Sequence, residues 1–261
     1  MYLSFTFDLS INLSMIFLQK SIFFLLLFIV ACQSPKSDSV ESIIAKSIKA
    51  HGFDSLNVEV EFDFRDYHYR LVRKGDFFSY SRQTFKGDQK IVDIMSSEEP
   101  LSRFLNETSV SLQDSIQRLY ANSLNSVMYF FQLPRPLLDP AVNSELLTSV
   151  NINGVPHWTL KITFAQKGGG EDFQDEYRYW INQEDYKIAY LAYNYKTDGG
   201  GTRFRKAQNR REINGILFQD YINYKPKEKF VPLDQLLNLY EDQELVQVSL
   251  IENKNIKVST K

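Results

Sequence analysis

The chain has 261 residues, of which 30 are basic and 32 acidic, and a net charge of -2 at pH 7. Its length and its 43% hydrophobic content allow one large core or two small ones, and a single domain is the favoured interpretation. The near-neutral charge, without a block of lysine and arginine, argues against a nucleic-acid partner. The 15 tyrosines, 20 phenylalanines and 2 tryptophans favour β-strands over helices.

The N-terminal residues predict an export signal. Residues 21–31, SIFFLLLFIVA, are apolar and uncharged, follow Lys20 and end in the small Ala31 before Cys32. The run is shorter than a membrane-spanning helix, and a lone cysteine excludes a disulfide framework within the chain. The alternative is an uncleaved anchor in which the cysteine is incidental.

The motif IVAC, which ends at Cys32, resembles the lipobox of bacterial lipoproteins. This resemblance implies that residues 1–31 are a signal peptide and that Cys32 carries acyl chains after cleavage. Residues 32–37 would then form the lipidated cysteine and a short tether at a membrane surface. If translation began at Met15, the signal peptide would be more compact than one that includes residues 1–14.

A first amphipathic helix is predicted over residues 38–52. Asp38 and Glu41 are spaced as a capping box, and Gly52 suits the position just after the helix. The apolar stripe consists of Val40, Ile43, Ile44 and Ile48.

The next segment alternates with a period of two, which predicts strands with one buried face. The first strand starts at Val58, and the others are predicted at 67–74, 76–85, 89–95 and 100–106. Helical spacing then predicts a long helix from Ser111 to Pro134, capped by Ser111 with Asp114 reaching back. Its stripe is Ile116, Leu119, Tyr120, Ser123, Val127, Phe130 and Phe131.

The second half predicts six more strands, a short helix at 232–242 and a last strand at 244–252. The six strands are 145–152, 155–166, 173–182, 186–195, 201–208 and 211–224. Helices are too few to alternate with the strands, which disfavours a parallel sheet. The predicted fold is therefore mainly β (α+β), with residues 38–261 forming one large antiparallel, half-open β-barrel. It would have about 11–12 strands, a long central helix and two shorter helices.

Two triple-glycine runs are predicted at one rim of this barrel. In a meander successive connections alternate between its two ends, and Asn153–Gly154 and Asn214–Gly215 predict tight hairpins at the opposite end. The rim comprises Gly168, Gly169, Gly170, Gly199, Gly200, Gly201, Arg203 and Arg205. A Walker-type phosphate loop is disfavoured because strands follow both runs. The rim consists either of mobile turns and bulges or of a surface that contacts a ligand.

Three histidines are the candidate chemical groups. His51 ends the first helix, where the helix dipole favours a charged histidine. His157 lies beside Trp158 on a strand. His68 follows Asp63, Arg65 and Asp66, a cluster that could serve an enzyme or form the solvent-exposed face of a strand. No metal-ligand spacing is present, and no cofactor is predicted.

Several strands are apolar on both faces, so both faces must be covered. In residues 186–195, Tyr186, Ile188, Tyr190 and Ala192 share one face, and Ala189, Leu191, Tyr193 and Tyr195 share the other. The excess of strands and aromatics predicts a cavity between the concave face and the long helix. Its lining is predicted to be Phe62, Phe64, Tyr120, Val127, Phe131, Trp158, Leu160, Ile162 and Tyr190.

The order of lipobox, helix, strands, long helix and second meander resembles the LolA/LolB carriers, which are half-open barrels that bind acyl chains. A second resemblance, to a bacterial envelope family of unknown function, rests on five segments. They are FDFRDYHY, NSVMYFFQLPRPLLDPAVN, FAQKGGGEDFQDEYRYWIN, YLAYNYKTDGGGTRFR and INYKP. Members of that family are sometimes labelled deoxyribose-phosphate aldolase. That label implies a (β/α)₈ barrel with a Schiff-base lysine, which the strand pattern does not provide.

The sequence thus predicts a non-enzymatic lipoprotein of a Gram-negative-type cell envelope, anchored through Cys32, most simply at the outer membrane on its periplasmic or surface side. It would bind a lipid or another apolar molecule in the half-open barrel. The alternatives are a partner-binding or structural lipoprotein with a filled barrel, and an enzyme that uses the His68 region or the glycine rim.

Overall fold

The computed structural model describes residues 1–2, 38–54, 57–167, 173–196 and 199–260. The chain divides into two units, residues 1–38 and residues 39–261. All the elements below belong to the second unit, which contains two antiparallel seven-stranded sheets and three α-helices within its described residues. No helix in these ranges is long and apolar enough to cross a membrane.

The first sheet has the strand order β14-β1-β2-β3-β4-β5-β6. Its strands are β1 (Asn57–Phe64), β2 (Tyr67–Lys74), β3 (Phe77–Lys86), β4 (Gln89–Ser96), β5 (Ser102–Leu105), β6 (Thr108–Val110) and β14 (Lys254–Thr260). The β14–β1 pairing, with Val60 opposite Val258, joins the two ends of the described fold.

The second sheet has the strand order β13-β12-β11-β10-β9-β8-β7. Its strands are β7 (Val142–Ile152), β8 (Val155–Phe164), β9 (Glu176–Asn182), β10 (Ile188–Tyr195), β11 (Gly201–Ile213), β12 (Ile216–Lys225) and β13 (Val246–Ile251). Because β13 and β14 follow one another in the chain, the edge of one sheet leads directly into the edge of the other. The result is an open, barrel-like antiparallel fold, as the sequence predicts.

Turn residues set the hairpins. Asn153 and Gly154 both have positive φ, as do Asn214 and Gly215, which is the backbone that a two-residue hairpin needs. Arg65 at the β1–β2 turn also has a positive φ of 53°. These loops close strands whose apolar residues alternate toward the core.

The first helix, α1, spans Val40–Ala50 and buries Ile43, Ile44 and Ile48. Its N-cap is Ser39, whose hydroxyl accepts a bond from the Ser42 amide, so the predicted cap at Asp38 is wrong by one residue. Gly52 follows the C-cap residue His51 and has a φ of +71°, which prevents the helix from continuing. A Cβ there would lie 1.9 Å from the Gly215 carbonyl oxygen, so α1 packs directly on the β11–β12 turn.

The long helix, α2, spans Asp114–Phe131 and connects the two sheets. Gln113 is its N-cap and makes no side-chain cap bond, so the predicted cap by Ser111 is wrong. Its buried residues are Leu124, Met128 and Phe131, whereas Ile116 and Leu119 at its start are exposed. The predicted stripe is therefore displaced, because the first turns of α2 extend past the core. A 3₁₀ turn, Arg135–Leu138, follows.

The inner faces of both sheets share one hydrophobic core with α1 and α2. Phe62, Phe131 and Phe218 stack in its middle, with ring centroids 3.7 Å apart for the first pair and 5.2 Å for the second. On the second sheet, Tyr177 and Tyr193 stack at 5.2 Å, and the Tyr129 hydroxyl bonds the Tyr179 hydroxyl at 3.1 Å. The aromatic excess of the sequence fills this interior.

The outer face of the second sheet is covered as well. The short helix α3 (Leu236–Glu241) and the preceding 3₁₀ turn (Leu233–Gln235) form a second cluster with the sheet. In it Tyr240 stacks on Phe204 at 4.8 Å. The prediction that both faces of this sheet need cover is confirmed.

The described strands number fourteen, two more than the highest predicted count. The sequence pattern did not predict β6, which has only three residues, or β14, which pairs with β1 from the other end of the chain. The strand predicted at 211–224 is divided by the Asn214–Gly215 turn, and β11 continues to Ile213 with an irregularity between Gln208 and Arg211.

Candidate functional site

A cavity of about 570 Å³ lies between α2, the β1–β2 turn and the strands β11–β13. Its apolar lining is Phe64, Leu119, Val127, Phe130, Phe131, Tyr221 and Ile251. Its polar lining is Arg65, Asn122, Ser123, Ser126, Arg205, Asn223 and Asn253. The balance of apolar and polar groups suits an amphipathic molecule better than a purely apolar one.

One face of α2 forms a wall of this cavity. Residues 119, 122, 123, 126, 127 and 130 follow the three-and-four spacing that places side chains on one side of a helix. Leu119, at the mouth, is 53% exposed. Ser123 is fixed from the first sheet, because the Arg82 Nη1 donates to its hydroxyl at 2.9 Å.

Arg205 projects from β11 into the cavity and is 9% exposed. Its guanidinium carbon lies 3.9 Å from the centre of the Phe130 ring and 5.1 Å from that of Tyr193. Its Nη2 donates to the Tyr193 hydroxyl at 2.7 Å. Its Nε is buried and has no hydrogen-bond partner.

Asn223 stands directly opposite Arg205 on the neighbouring strand β12. Its Nδ2 donates to the Ser249 hydroxyl at 3.2 Å, and its Oδ1 is buried without a partner. Arg205 and Asn223, which both line the cavity, therefore each keep one buried polar atom without a protein partner, a donor and an acceptor respectively. Buried polar atoms usually have a partner. Within the described residues the exceptions are Arg205 and Asn223 at the cavity, and Ser47, His51 and Thr159 elsewhere in the core.

The structure brings three of the nine predicted lining residues to the cavity, namely Phe64, Val127 and Phe131. Phe62, Leu160 and Ile162 are fully buried in the packed core instead. The Tyr120 ring packs under the Arg103 guanidinium at 3.5 Å, and the Trp158 ring lies 4.9 Å from the Tyr186 ring. Neither of these two rings lines the cavity. The barrel interior is thus filled along most of its length and open at one end.

Tyr190 lies on the opposite face of the second sheet, in the cluster beneath α3. The register of β10 against β9 shifts between Ile188 and Tyr190. This irregularity puts Ile188 in the main core, whereas Tyr190 and Ala192 face outward. The alternation predicted for this strand is therefore wrong at its start.

The glycine rim is described only in part. Gly168, Gly169 and Gly170 lie outside the described residues. Gly199, Gly200 and Gly201 have positive φ and lead into β11. Arg203 lies over the Tyr195 ring at 5.2 Å and donates to the Thr202 carbonyl. Arg205, two residues further along the same face, lies inside the cavity and not at the rim.

The predicted cluster at the β1–β2 turn is brought together in part. His68 Nδ1 and Asp63 Oδ1 are 2.7 Å apart, and both side chains are more than a third exposed. Hydrogen bonds from Asn255 and then from His68 lower the pKa of Asp63. Neither residue lines the cavity, although Arg65 does. This pair has the environment of a solvated strand face.

The other two histidines are structural. His51 is 1% exposed, and burial lowers its pKa to about 4, so the dipole-favoured charged form predicted for it is wrong. Its Nδ1 lies 2.8 Å from the Ser47 carbonyl oxygen. His157 is buried against Tyr190, and burial lowers its pKa too. Within the described ranges, no group of histidine, cysteine and carboxylate side chains could hold a metal.

Sequence reasoning missed most of the polar lining, including Asn122, Ser126 and Asn223. The signal was present on α2, where serine and asparagine recur at helical spacing between apolar residues. For Asn223 and Asn253 no local signal exists, since their place depends on the register of β12 and on the β13–β14 connection.

The sequence profile of the family of unknown function DUF6503 matches residues 19–253. The search of curated proteins gave no match. Among solved structures, the fold is similar to a LolA superfamily protein of Nitrosomonas europaea, with a TM-score of 0.46, 15% identity, and coverage of 84% of this chain and 93% of that one. It is also similar to a DUF1329 family protein of Desulfovibrio piger, with a TM-score of 0.44, 10% identity, and coverage of 85% and 93%.

Proposed function

This chain belongs to the DUF6503 family, and we propose that it is an envelope lipoprotein that binds an amphipathic lipid-like molecule. The observation that carries the proposal is the cavity of about 570 Å³ beneath α2. Small-molecule sites commonly measure roughly 300–1,000 Å³ and combine apolar walls with few polar groups. The protein would act by binding, without chemistry of its own.

The antiparallel sheets do not support the aldolase label, because such an enzyme needs a (β/α)₈ barrel. The lipid anchor at Cys32 and the location in the cell envelope are part of the same proposal and rest on the sequence, since Cys32 lies outside the described residues. A ligand that partitions into membranes would then be supplied where the protein is held.

The proposal is tested by filling the cavity. Val127 lines it, whereas Asn125, on the same helix, is exposed and does not line it. We expect Val127→Trp to weaken binding of methyl cis-parinarate, an uncharged fluorescent lipid, by at least about tenfold. Asn125→Trp should leave its affinity unchanged, and both variants should keep the wild-type circular dichroism spectrum.

A second candidate, a partner-binding or structural lipoprotein, is favoured by the packed core around the Phe62, Phe131 and Phe218 stack. It predicts that the wild-type protein binds no lipid probe. It also predicts that Val127→Trp lowers the melting temperature, because the indole would have to enter a closed core. Saturable binding by the wild type decides against it.

A further inference from the structure

We propose that Arg205 binds the anionic oxygen of the ligand's head group, so that the cavity selects an anionic amphiphile over an uncharged one. This inference rests on the proposed lipid-binding function. Arg205 is a buried cation, and no residue that the structure describes provides a carboxylate to pair with it.

The other deeply buried arginines are neutralised. Arg82 donates to Asp93 at 2.8 Å. Arg178 lies 2.7 Å from Glu176 and 2.9 Å from Asp234. A charge removed from water is costly unless it is paired and hydrogen-bonded. Arg205 lacks this pairing and is also the buried arginine that lines the cavity.

The aromatic neighbours of Arg205 orient its guanidinium. The group stacks over Phe130 and is held by the Tyr193 hydroxyl. Stacking occupies the face of the planar group and leaves its N–H edge available for an acceptor in the plane. The partnerless Nε is on that edge.

A carboxylate or phosphate oxygen is the acceptor that a guanidinium edge binds most strongly. The partnerless Oδ1 of Asn223 beside it would accept a bond from a hydroxyl of the same head group. The apolar wall formed by Val127, Phe131 and Ile251 would hold the chain of the amphiphile. The shared chemistry is an anionic oxygen, supplied either by a fatty acid or by a lysophospholipid.

The experiment compares cis-parinaric acid with its methyl ester, which has the same polyene chain but an uncharged methoxy group in place of the anionic oxygen. We expect the wild-type protein to bind the acid at least about tenfold more tightly than the ester. A tenfold ratio in affinity corresponds to the free energy that one hydrogen bond to a charged group contributes. Arg205→Gln should abolish this preference, so that the acid and the ester bind with affinities within about twofold of each other. Arg205→Lys should retain part of it, because the charge stays while the stacked planar group is lost.

Arg203→Gln is the matched control, because Arg203 lies on the same strand and face but outside the cavity. It should keep the full preference for the acid. Displacement of the acid by oleate and by 1-oleoyl lysophosphatidate separates the two sources. Stronger displacement by lysophosphatidate, lost in Asn223→Leu, identifies a phosphate head group with a hydroxyl.

Two other outcomes are distinguishable. Equal binding of acid and ester by the wild type overturns the role of Arg205 and leaves the lipid-binding function standing, with Arg205 held by its aromatic contacts alone. Binding of neither probe overturns both. Because the wild-type comparison decides the first point, the test does not depend on whether Arg205→Gln folds.

Discussion

At the end of α1, His51 shows how burial outweighs a favourable position on a helix. Its ring is 1% exposed, its Nδ1 contacts the Ser47 carbonyl, and its Nε2 has no partner. The helix dipole favours a charged histidine, but desolvation dominates and lowers its pKa from 6.5 to about 4. His51 is therefore neutral at neutral pH.

This neutral state gives a pH-dependent stability. The unfolded chain takes up the proton first as the pH falls below 6.5, whereas folded His51 does so near pH 4. The contribution of His51 to the free energy of unfolding is thus fully present above pH 6.5. It is lost progressively as the pH falls toward 4, at about 1.4 kcal/mol per pH unit, which amounts to on the order of 3 kcal/mol. Urea unfolding across this range should show the loss, and His51→Gln should flatten it.

His157→Gln is the control for that measurement. Burial also lowers the pKa of His157, but less than that of His51, so this variant should retain most of the wild-type slope. An unchanged slope in His51→Gln would show that folding does not lower the pKa of His51, and would contradict the prediction.

Among the elements, α2 is tied to the first sheet by a buried charge network. The Asp93 carboxylate on β4 accepts a hydrogen bond from Arg82 on β3 at 2.8 Å and another from Arg103 on β5 at 2.7 Å. Arg82 also bonds Ser123 on α2, and Arg103 stacks on Tyr120. One carboxylate thus orients two arginines that hold the cavity-forming helix.

Removing that carboxylate charge should be strongly destabilising. Asp93→Asn leaves the buried Arg82 and the partly buried Arg103 without an anion, and breaking a buried pair typically costs about 3–5 kcal/mol. Glu59→Gln makes the same chemical change in the exposed Glu59–Arg70 pair, which is 2.8 Å long, and should cost about 0–1 kcal/mol. Chemical unfolding of both variants measures this, and equal costs would contradict the network's role.

The sequence predicted elements better than their mutual placement. The α1 stripe, the Asn-Gly hairpins and the existence of α2 follow from local patterns. The pairing of β14 with β1 and the irregularity after Ile188 depend on contacts between distant strands. Tyr190 lies after that irregularity and is on the opposite face of the sheet, whereas Phe64, Val127 and Phe131 line the cavity.

On the scale of the second unit, the cavity lies beside a packed core that α1, α2 and both sheets share in the part of the chain that the structure describes. Most of the predicted lining residues form core contacts because fourteen strands and α2 close the rest of the space. The proposed ligand would bind there as a single molecule, in an orientation set by the polar groups of the lining. The proposed membrane anchor would place that site next to a reservoir of amphiphiles.

The anchor itself gives the last prediction. The apolar run of residues 21–31 ends at Cys32, which is the only cysteine of the chain. We expect cells fed an alkyne analogue of palmitate to label the wild-type protein and not Cys32→Ala. Acyl chains contribute roughly 0.8 kcal/mol per buried methylene, so the labelled protein should sediment with membranes.

Immunoblotting is the control, because it shows whether Cys32→Ala is made in normal amounts. Mass spectrometry of the purified wild type should find an N-terminus at an acylated Cys32. Labelling that survives in Cys32→Ala would contradict lipidation at this residue. An intact N-terminal run with no acyl mass would instead identify residues 21–31 as an uncleaved anchor and Cys32 as an incidental apolar residue.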